Sequence, residues 1–294
     1  MSTYNGEKYL QTQLDSILAQ QGVEVQILVR DDGSIDGTLQ ILEHYKQSGK
    51  LLYYTGLNLK PAKSFMDLIR QAPQAEYYAF CDQDDYWLPQ KLLKAVTMME
   101  KINSEDIPVL YHGKTTLVDS NLKFINLSTT PYTICSFPQS LILYTAIGCT
   151  FVFNWKLLHT IQQYTPSFQI SHDNWLDQVC RAVNGKVLYD SNSYVYYRQH
   201  SNNVSGGIHS WDKICKRKWK NLIQSPCIRS KSVDELVKGY GTMMSIDNLE
   251  ICKKILSYKT NWKSKYILLS EKKMRTGIRM WDLNYMISVI LGIF

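Results

Sequence analysis

"YYAFCDQDDYWLPQKL", Tyr77 to Leu92, sets four apolar or aromatic residues and a cysteine ahead of three carboxylates in four positions. The apolar run reads as a buried strand, so Asp82, Asp84 and Asp85 stand at its mouth. At an effective dielectric of ~20 and a separation of ~5 Å, each pair of like charges repels by ~3 kcal/mol. One carboxylate could cap the helix that begins near Pro89, and Asp85 or Asp84 suits that task. A cap uses only one acid, and a divalent cation would offset the repulsion among all three.

Working outward, "VEVQILVR" (Val23 to Arg30) is a second apolar, β-branched run and ends in "DDGSIDG". Leu10, Leu14, Ile17 and Leu18 before it fall at helical spacing, as do Leu39, Leu42 and Tyr45 after it. "LLYYT" reads as a strand, "PAKSFMDLIRQA" as a helix with Pro61 in its first turn, and "LPQKLLKAVTMMEKI" as another helix. This alternation predicts an α/β fold with a mostly parallel central sheet flanked by helices. Ligands bind at the carboxyl ends of strands in such a sheet, so "DDGS" and "DQDD" are expected to face one pocket. Asp36 suits a cap for the helix near Gly37, while Asp31 and Asp32 at the strand tip could accept hydrogen bonds from a ligand.

After Asn103 the pattern loosens. "VLYHGKTTLVD" reads as a strand pair, "AIGCTFVFN" as a strand, "DNWLDQVCRAVNG" as a helix, and "KVLYDSNSYVYYRQH" as two short strands. Lys-rich helical segments follow Gly206-Gly207, which divides residues 1–206 from a helical C-terminal extension, residues 207–294. The first part holds 16 Lys and Arg against 19 Asp and Glu, the second 17 against 7, so the positive charge lies in the tail.

Several classes are excluded. There is no G-x-G-x-x-G, no G-x-x-x-x-G-K-[ST] and no H-E-x-x-H, and a Rossmann dehydrogenase or P-loop NTPase is disfavoured. The longest apolar run, "YMISVILGIF", is too short to span a bilayer. No secretory signal is expected, and the seven scattered cysteines read as reduced thiols, so a cytoplasmic protein is expected. The N-x-S triplets at Asn126 and Asn203 are then chance matches.

Six ordered stretches, "STYNGEKYLQTQLDSILAQ", "VRDDGSIDGT", "NLKPAKSF", "CDQDDYW.P.KL", "SHDNWL" and "YRQHSNNVSG", resemble family 2 glycosyltransferases of the GT-A fold. The likeness spans Met1 to Gly206 and leans to the rhamnosyltransferase-like branch that builds bacterial cell-surface polysaccharides. It implies an inverting enzyme using Mn2+ or Mg2+ and a nucleotide-diphosphate sugar, dTDP-L-rhamnose or a UDP-hexose. The acceptor would be a glycan or a lipid-linked saccharide. By the resemblance, Ser2 and Tyr4 line the base, Asp31 or Asp32 holds base and ribose, and Lys63 lies near the nucleotide. Asp82 and Asp84 form the Asp-x-Asp, the first toward ribose and metal, the second a direct metal ligand, with Gln83 as its variable middle. Asp173 is the implied catalytic base, though on its own it reads as a helix cap. His172 reads as a local hydrogen-bonding residue. His200 is an added metal or diphosphate contact, or a plain structural histidine, and Arg198 a diphosphate partner.

Relatives carry an apolar segment before "STYNG", so either the start lies upstream of Met1 or the first strand is a stub. In the tail, "WDKICKRKWKNLI" places Trp211, Ile214, Cys215, Trp219, Leu222 and Ile223 on one helical face and lysines on the other. That face suits the core or an anionic membrane surface, which would put the protein on the inner face of the cell membrane. Nucleic-acid binding is not expected of a body with an acidic excess. A non-catalytic sugar-nucleotide or glycan binding protein and a nucleotidyltransferase are the alternatives from other classes; the latter lacks a glycine-rich basic loop in "STYNGEKYL".

Overall fold

The computed structural model describes residues 1–102, 106–128, 135–200 and 227–294. The first part of the chain alternates as its apolar periodicity predicts: β1 (Ser2–Thr3), α1 (Leu10–Leu18), β2 (Leu28–Asp31), α2 (Thr38–Gln47), β3 (Leu52–Thr55), α3 (Lys60–Gln71) and β4 (Tyr77–Ala79). Leu10, Leu14 and Ile17 of α1 recur at i, i+4 and i+7, and all are buried on Val29 of the central strand β2. Strands β1, β2 and β3 pair in parallel, with Thr3 opposite Asp31 and Asp31 opposite Thr55.

Next come β5 (Tyr86–Trp87), α4 (Lys91–Glu100), β6 (Val109–Val118), β7 (Phe124–Leu127), α5 (Phe137–Ser140), β8 (Val152–Asn154), α6 (Trp155–Gln162), α7 (His172–Ala182) and β9 (Lys186–Arg198). Here the sheet is mixed. Its order is β4-β8-β6-β9-β5, with only the β6–β9 pair parallel and β7 paired on β6. The parallel arrangement expected from the alternation thus holds for the first three strands, while β4, β5, β7 and β8 run antiparallel to their partners, and only the β6–β7 pair is joined by a short turn. The segment read as two short strands is one, β9, which absorbs its "SNS" interruption by register shifts against Gly113 to Thr116 of β6.

The chain ends in four helices, α8 (Ile228–Tyr240), α9 (Ile246–Ser257), α10 (Trp262–Ser270) and α11 (Arg279–Ile290). Both the expected boundary at 206/207 and the amphipathic segment 211–223 lie outside the described residues. The helices beyond them pack into the same apolar core as α3, α6 and α7, with Leu236, Tyr240 and Ile255 joining Phe65, Leu157 and Trp175. Glu235 on α8, though buried, is satisfied by Tyr164 Oη at 3.0 Å, Ser167 N at 2.6 Å and Ser167 Oγ at 2.7 Å. It thereby anchors the loop that leads into α7.

Candidate active site

Strand β4 delivers the acidic loop, and the tip of β1 closes on it. Thr3 Oγ1 donates to Gln83 Oε1 at 2.6 Å, and the Tyr4 backbone exchanges hydrogen bonds with the same amide. Tyr4, exposed, therefore borders the Asp82–Asp84 loop, while Ser2 pairs with Arg30 of β2. A Cβ on Gly6 would overlap Gln83 Oε1, so the turn after β1 needs a glycine there. Gln83, read from sequence as a variable spacer, is what joins the two segments. Nothing local signals this, because its partner lies 79 residues away.

The three acids of the loop are not equivalent. Asp82 is partly buried, and burial, then Asp84, then Asp173 push its carboxyl up to about 7. Asp173 abuts Gly148, and Cys149 beside it lies within 4.8 Å of Asp82 and Asp85, so the first turn of α7 lies near the loop. Asp84 stays partly open, its Oδ2 2.8 Å from His200 Nε2. Asp85 is fully buried and accepts from Arg198 N at 3.4 Å. Asp85 is therefore not the cap expected of it: α4 begins at Lys91, after Gln90, and Asp85 lies inside the fold.

Asp82, Asp85 and Cys149 bring one ligand atom each within 4.8 Å. Burial, then Asp85, raises the Cys149 thiol well above its usual range, and the thiol hydrogen-bonds Asp85. A protonated thiol is a poor partner for a hard ion, whereas the carboxylates of Asp82 and Asp84 suit Mn2+ or Mg2+, with His200 Nε2 beside Asp84. Beneath them, Lys91 Nζ sits 3.3 Å over the Trp87 ring, and burial lowers this ammonium to about 8.

Arg198 does not project freely toward a ligand. Its Nε donates to Asp84 O at 2.8 Å and its Nη1 to Ser120 O at 2.5 Å, and its guanidinium lies 4.5 Å over the Tyr9 ring. Tyr9 also stacks on His200 at 5.1 Å. Arg198 and Tyr9, the latter not expected from sequence, thus hold the acidic loop and His200 in place.

The "DDGS" acids are largely occupied by the protein. Asp31 accepts from Gly33 N at 3.0 Å, Ser34 N at 2.9 Å and Ser34 Oγ at 2.5 Å, shaping its own turn. Asp32 pairs with Arg30 and accepts from Leu59 N at 3.1 Å and Ser64 Oγ at 2.5 Å. Asp36 accepts from Thr38 N at 3.1 Å, close to the expected cap. Lys63 is exposed on α3.

Ser171, not Asp173, caps α7, accepting from Asn174 N at 3.4 Å. Asp173 sits in the first turn with Oδ1 accepting from Asn174 N at 2.8 Å. Its other side meets the backbone of Gly148, where a Cβ would come 2.9 Å from Asp173 Cβ. His172 packs rather than hydrogen-bonds as expected, stacking on Phe65 at 4.0 Å.

The strand-end acids Asp82 and Asp84 lie in the part of the chain that a family profile matches. The profile described as glycosyl transferase family 2 matches residues 1–161 of this 294-residue chain, and the chain belongs to that family. It is 29% identical over 248 residues to a protein described as dTDP-rhamnosyl transferase RfbG of Shigella flexneri, covering 76% of this chain and 78% of that one. An uncharacterized glycosyltransferase of Rickettsia bellii is 24% identical over 249 residues, with 81% of this chain and 34% of the relative covered. The solved structure of S. aureus TarS 1-349 in complex with UDP-GlcNAc superposes with a TM-score of 0.57 at 18% identity, over 99% of this chain and 89% of that one. The fold is GT-A. Asp173, Arg198 and His200 lie beyond the matched residues.

Proposed function

We propose that this glycosyltransferase is an inverting, divalent-metal-dependent enzyme that moves L-rhamnose from dTDP-L-rhamnose to a glycan or lipid-linked saccharide in cell-surface polysaccharide synthesis, on the inner face of the cell membrane. The observation that carries this reading is the packing of Asp173 on α7 against Gly148, whose neighbour Cys149 has its Sγ within 4.8 Å of carboxylate oxygens of Asp82 and Asp85. The similarity to a described dTDP-rhamnosyl transferase supports the donor.

In this reading the nucleotide lies between the β1 tip, with Ser2 and Tyr4, and Lys63 on α3, while Asp31 and Asp32 shape the base and ribose pocket through the turns they hold. Asp82, Asp84 and His200 would hold Mn2+ or Mg2+, which when bound supplies positive charge to a diphosphate leaving group. Asp173 accepts the proton of the acceptor hydroxyl while that oxygen bonds to the anomeric carbon. The bond from that carbon to the diphosphate oxygen breaks on the opposite face, its electron pair leaving with the diphosphate, so configuration inverts. Arg198 acts as a positioning residue beneath the loop.

Nucleotide release is the test, using purified protein with dTDP-L-rhamnose, UDP-glucose, UDP-GlcNAc or GDP-mannose, in Mn2+ or in EDTA. Release from dTDP-L-rhamnose that stops in EDTA is expected. Preference for a UDP-hexose would overturn the donor, unchanged release in EDTA the metal, and donor binding without any release would favour a binding protein. Asp173→Asn should abolish transfer and retain donor binding; full transfer by that variant would overturn the base.

A further inference from the structure

The last two helices carry an outer face that the core does not use. On α10, Ser264 and Leu268 turn inward, while Trp262 and Tyr266, one turn apart, are 73% and 67% exposed. On α11, Tyr285, Ser288 and Val289 turn inward, while Leu283 and Ile290, two turns apart, are 54% and 52% exposed, and Leu291 follows them outward. The two helices are fastened side by side: Tyr285 Oη donates to Leu268 O at 2.9 Å, and Lys265 Nζ to Ile290 O at 2.7 Å. An exposed apolar and aromatic surface of this kind marks an interaction site.

Its charge points to one partner. From Lys259 to Phe294 there are seven Lys and Arg against two Asp and Glu. Both acids are turned to local use, Glu271 accepting from Lys273 N at 3.2 Å and Asp282 from Thr276 N at 2.7 Å and Thr276 Oγ1 at 2.8 Å. Lys273 is offset by Asp247 at 2.9 Å, Lys259, Lys265 and Arg275 donate hydrogen bonds within the protein, and Lys263, Lys272 and Arg279 are exposed. Trp262 is flanked by exposed Lys263, and Arg279 opens α11. A second copy of the chain would set two such cationic faces against each other, because a two-fold interface pairs a patch with itself. Tyr and Trp favour the boundary between lipid and water, and lysines around them favour acidic headgroups.

We propose that the outer face of α10 and α11 docks on an anionic lipid bilayer, lying along its surface. No helix among the described residues is long and apolar enough to cross a membrane. This face is separate from the 211–223 segment. It would hold the enzyme beside a lipid-linked acceptor, yet it does not rest on which donor is used.

Flotation with phosphatidylcholine vesicles and with phosphatidylcholine/phosphatidylglycerol vesicles tests this, alongside a Trp262→Ser/Tyr266→Ser variant and a Leu283→Ser/Ile290→Ser variant. All these side chains are exposed, so the variants should keep the wild-type circular dichroism and donor turnover in solution. Wild type should float with the anionic vesicles only, and each variant should partition about tenfold more weakly or worse. Equal binding to both lipids, no binding at all, or variants that bind as wild type while Lys213→Ser, Lys216→Ser, Lys218→Ser and Lys220→Ser together abolish binding would overturn it. So would a wild-type dimer that these variants turn into monomers. Loss of donor turnover in every protein would instead count against the proposed function.

Discussion

The side-chain amide of Gln83 closes on both backbone groups of Tyr4, accepting from its N–H at 2.8 Å and donating to its carbonyl at 3.1 Å. One residue thus registers the acidic loop against the tip of β1. Only a side chain that both donates and accepts can do this. Gln83→Ala should keep the fold, with a loss of about 1–2 kcal/mol by urea unfolding. Misplacing the loop should lower kcat/KM for nucleotide release roughly tenfold to a hundredfold. Unchanged kinetics with the stability loss alone would reduce Gln83 to a structural tie.

Gly148 should be intolerant for a different reason. An alanine there would put its Cβ 2.9 Å from Asp173 Cβ and 3.1 Å from Oδ2, so the facing carboxylate must shift. We expect Gly148→Ala to lower kcat by about tenfold or more while donor affinity by calorimetry holds. Equal loss of donor affinity would show a wider collapse of the site.

Glu235 lies far along the chain from the acids but holds the loop before Asp173. Glu235→Ala leaves Tyr164 and Ser167 without their buried partner and should cost about 2–3 kcal/mol of unfolding free energy. Activity at low temperature, where the variant is folded, should also fall if the loop sets the pose of α7. Wild-type activity there would confine Glu235 to stability.

His112, on β6, gives a pH signature of its own. Burial, with Arg181 adding to it, lowers its imidazole to about 3. The unfolded chain takes up this proton below about 6.5 while the folded one does not, so this group's share of stability is present above 6.5 and is lost as pH falls toward 3. His112→Gln should flatten the decline of melting temperature over that interval relative to wild type. An identical slope in both proteins would show that other groups set the acid limb.

Much of this was legible because local patterns coincide with placement. An apolar run followed at once by carboxylates can only put them at a strand end, and the spacing of Leu10, Leu14 and Ile17 fixes the buried face of α1. What stayed hidden depends on partners distant in sequence. Arg198 reads as a cation awaiting phosphate, and only the return of β9 beside β5 shows it donating to Asp84 O. Asp31 and Asp32 look alike side by side, yet one shapes its own turn and the other pairs with Arg30. The antiparallel half of the sheet escaped for the same reason: strand order is set by which apolar faces meet across the fold, and periodicity does not encode that.

The shared core of α3, α7 and the last helices has a practical consequence for exchange of parts between enzymes. Trp175, next but one to Asp173, lies with its ring 6.0 Å from that of Tyr240 on α8. A chimera cut near residue 206 would join a foreign tail to a tryptophan shaped for this one. The placement of Asp173 and the C-terminal helices should therefore travel together as one heritable block.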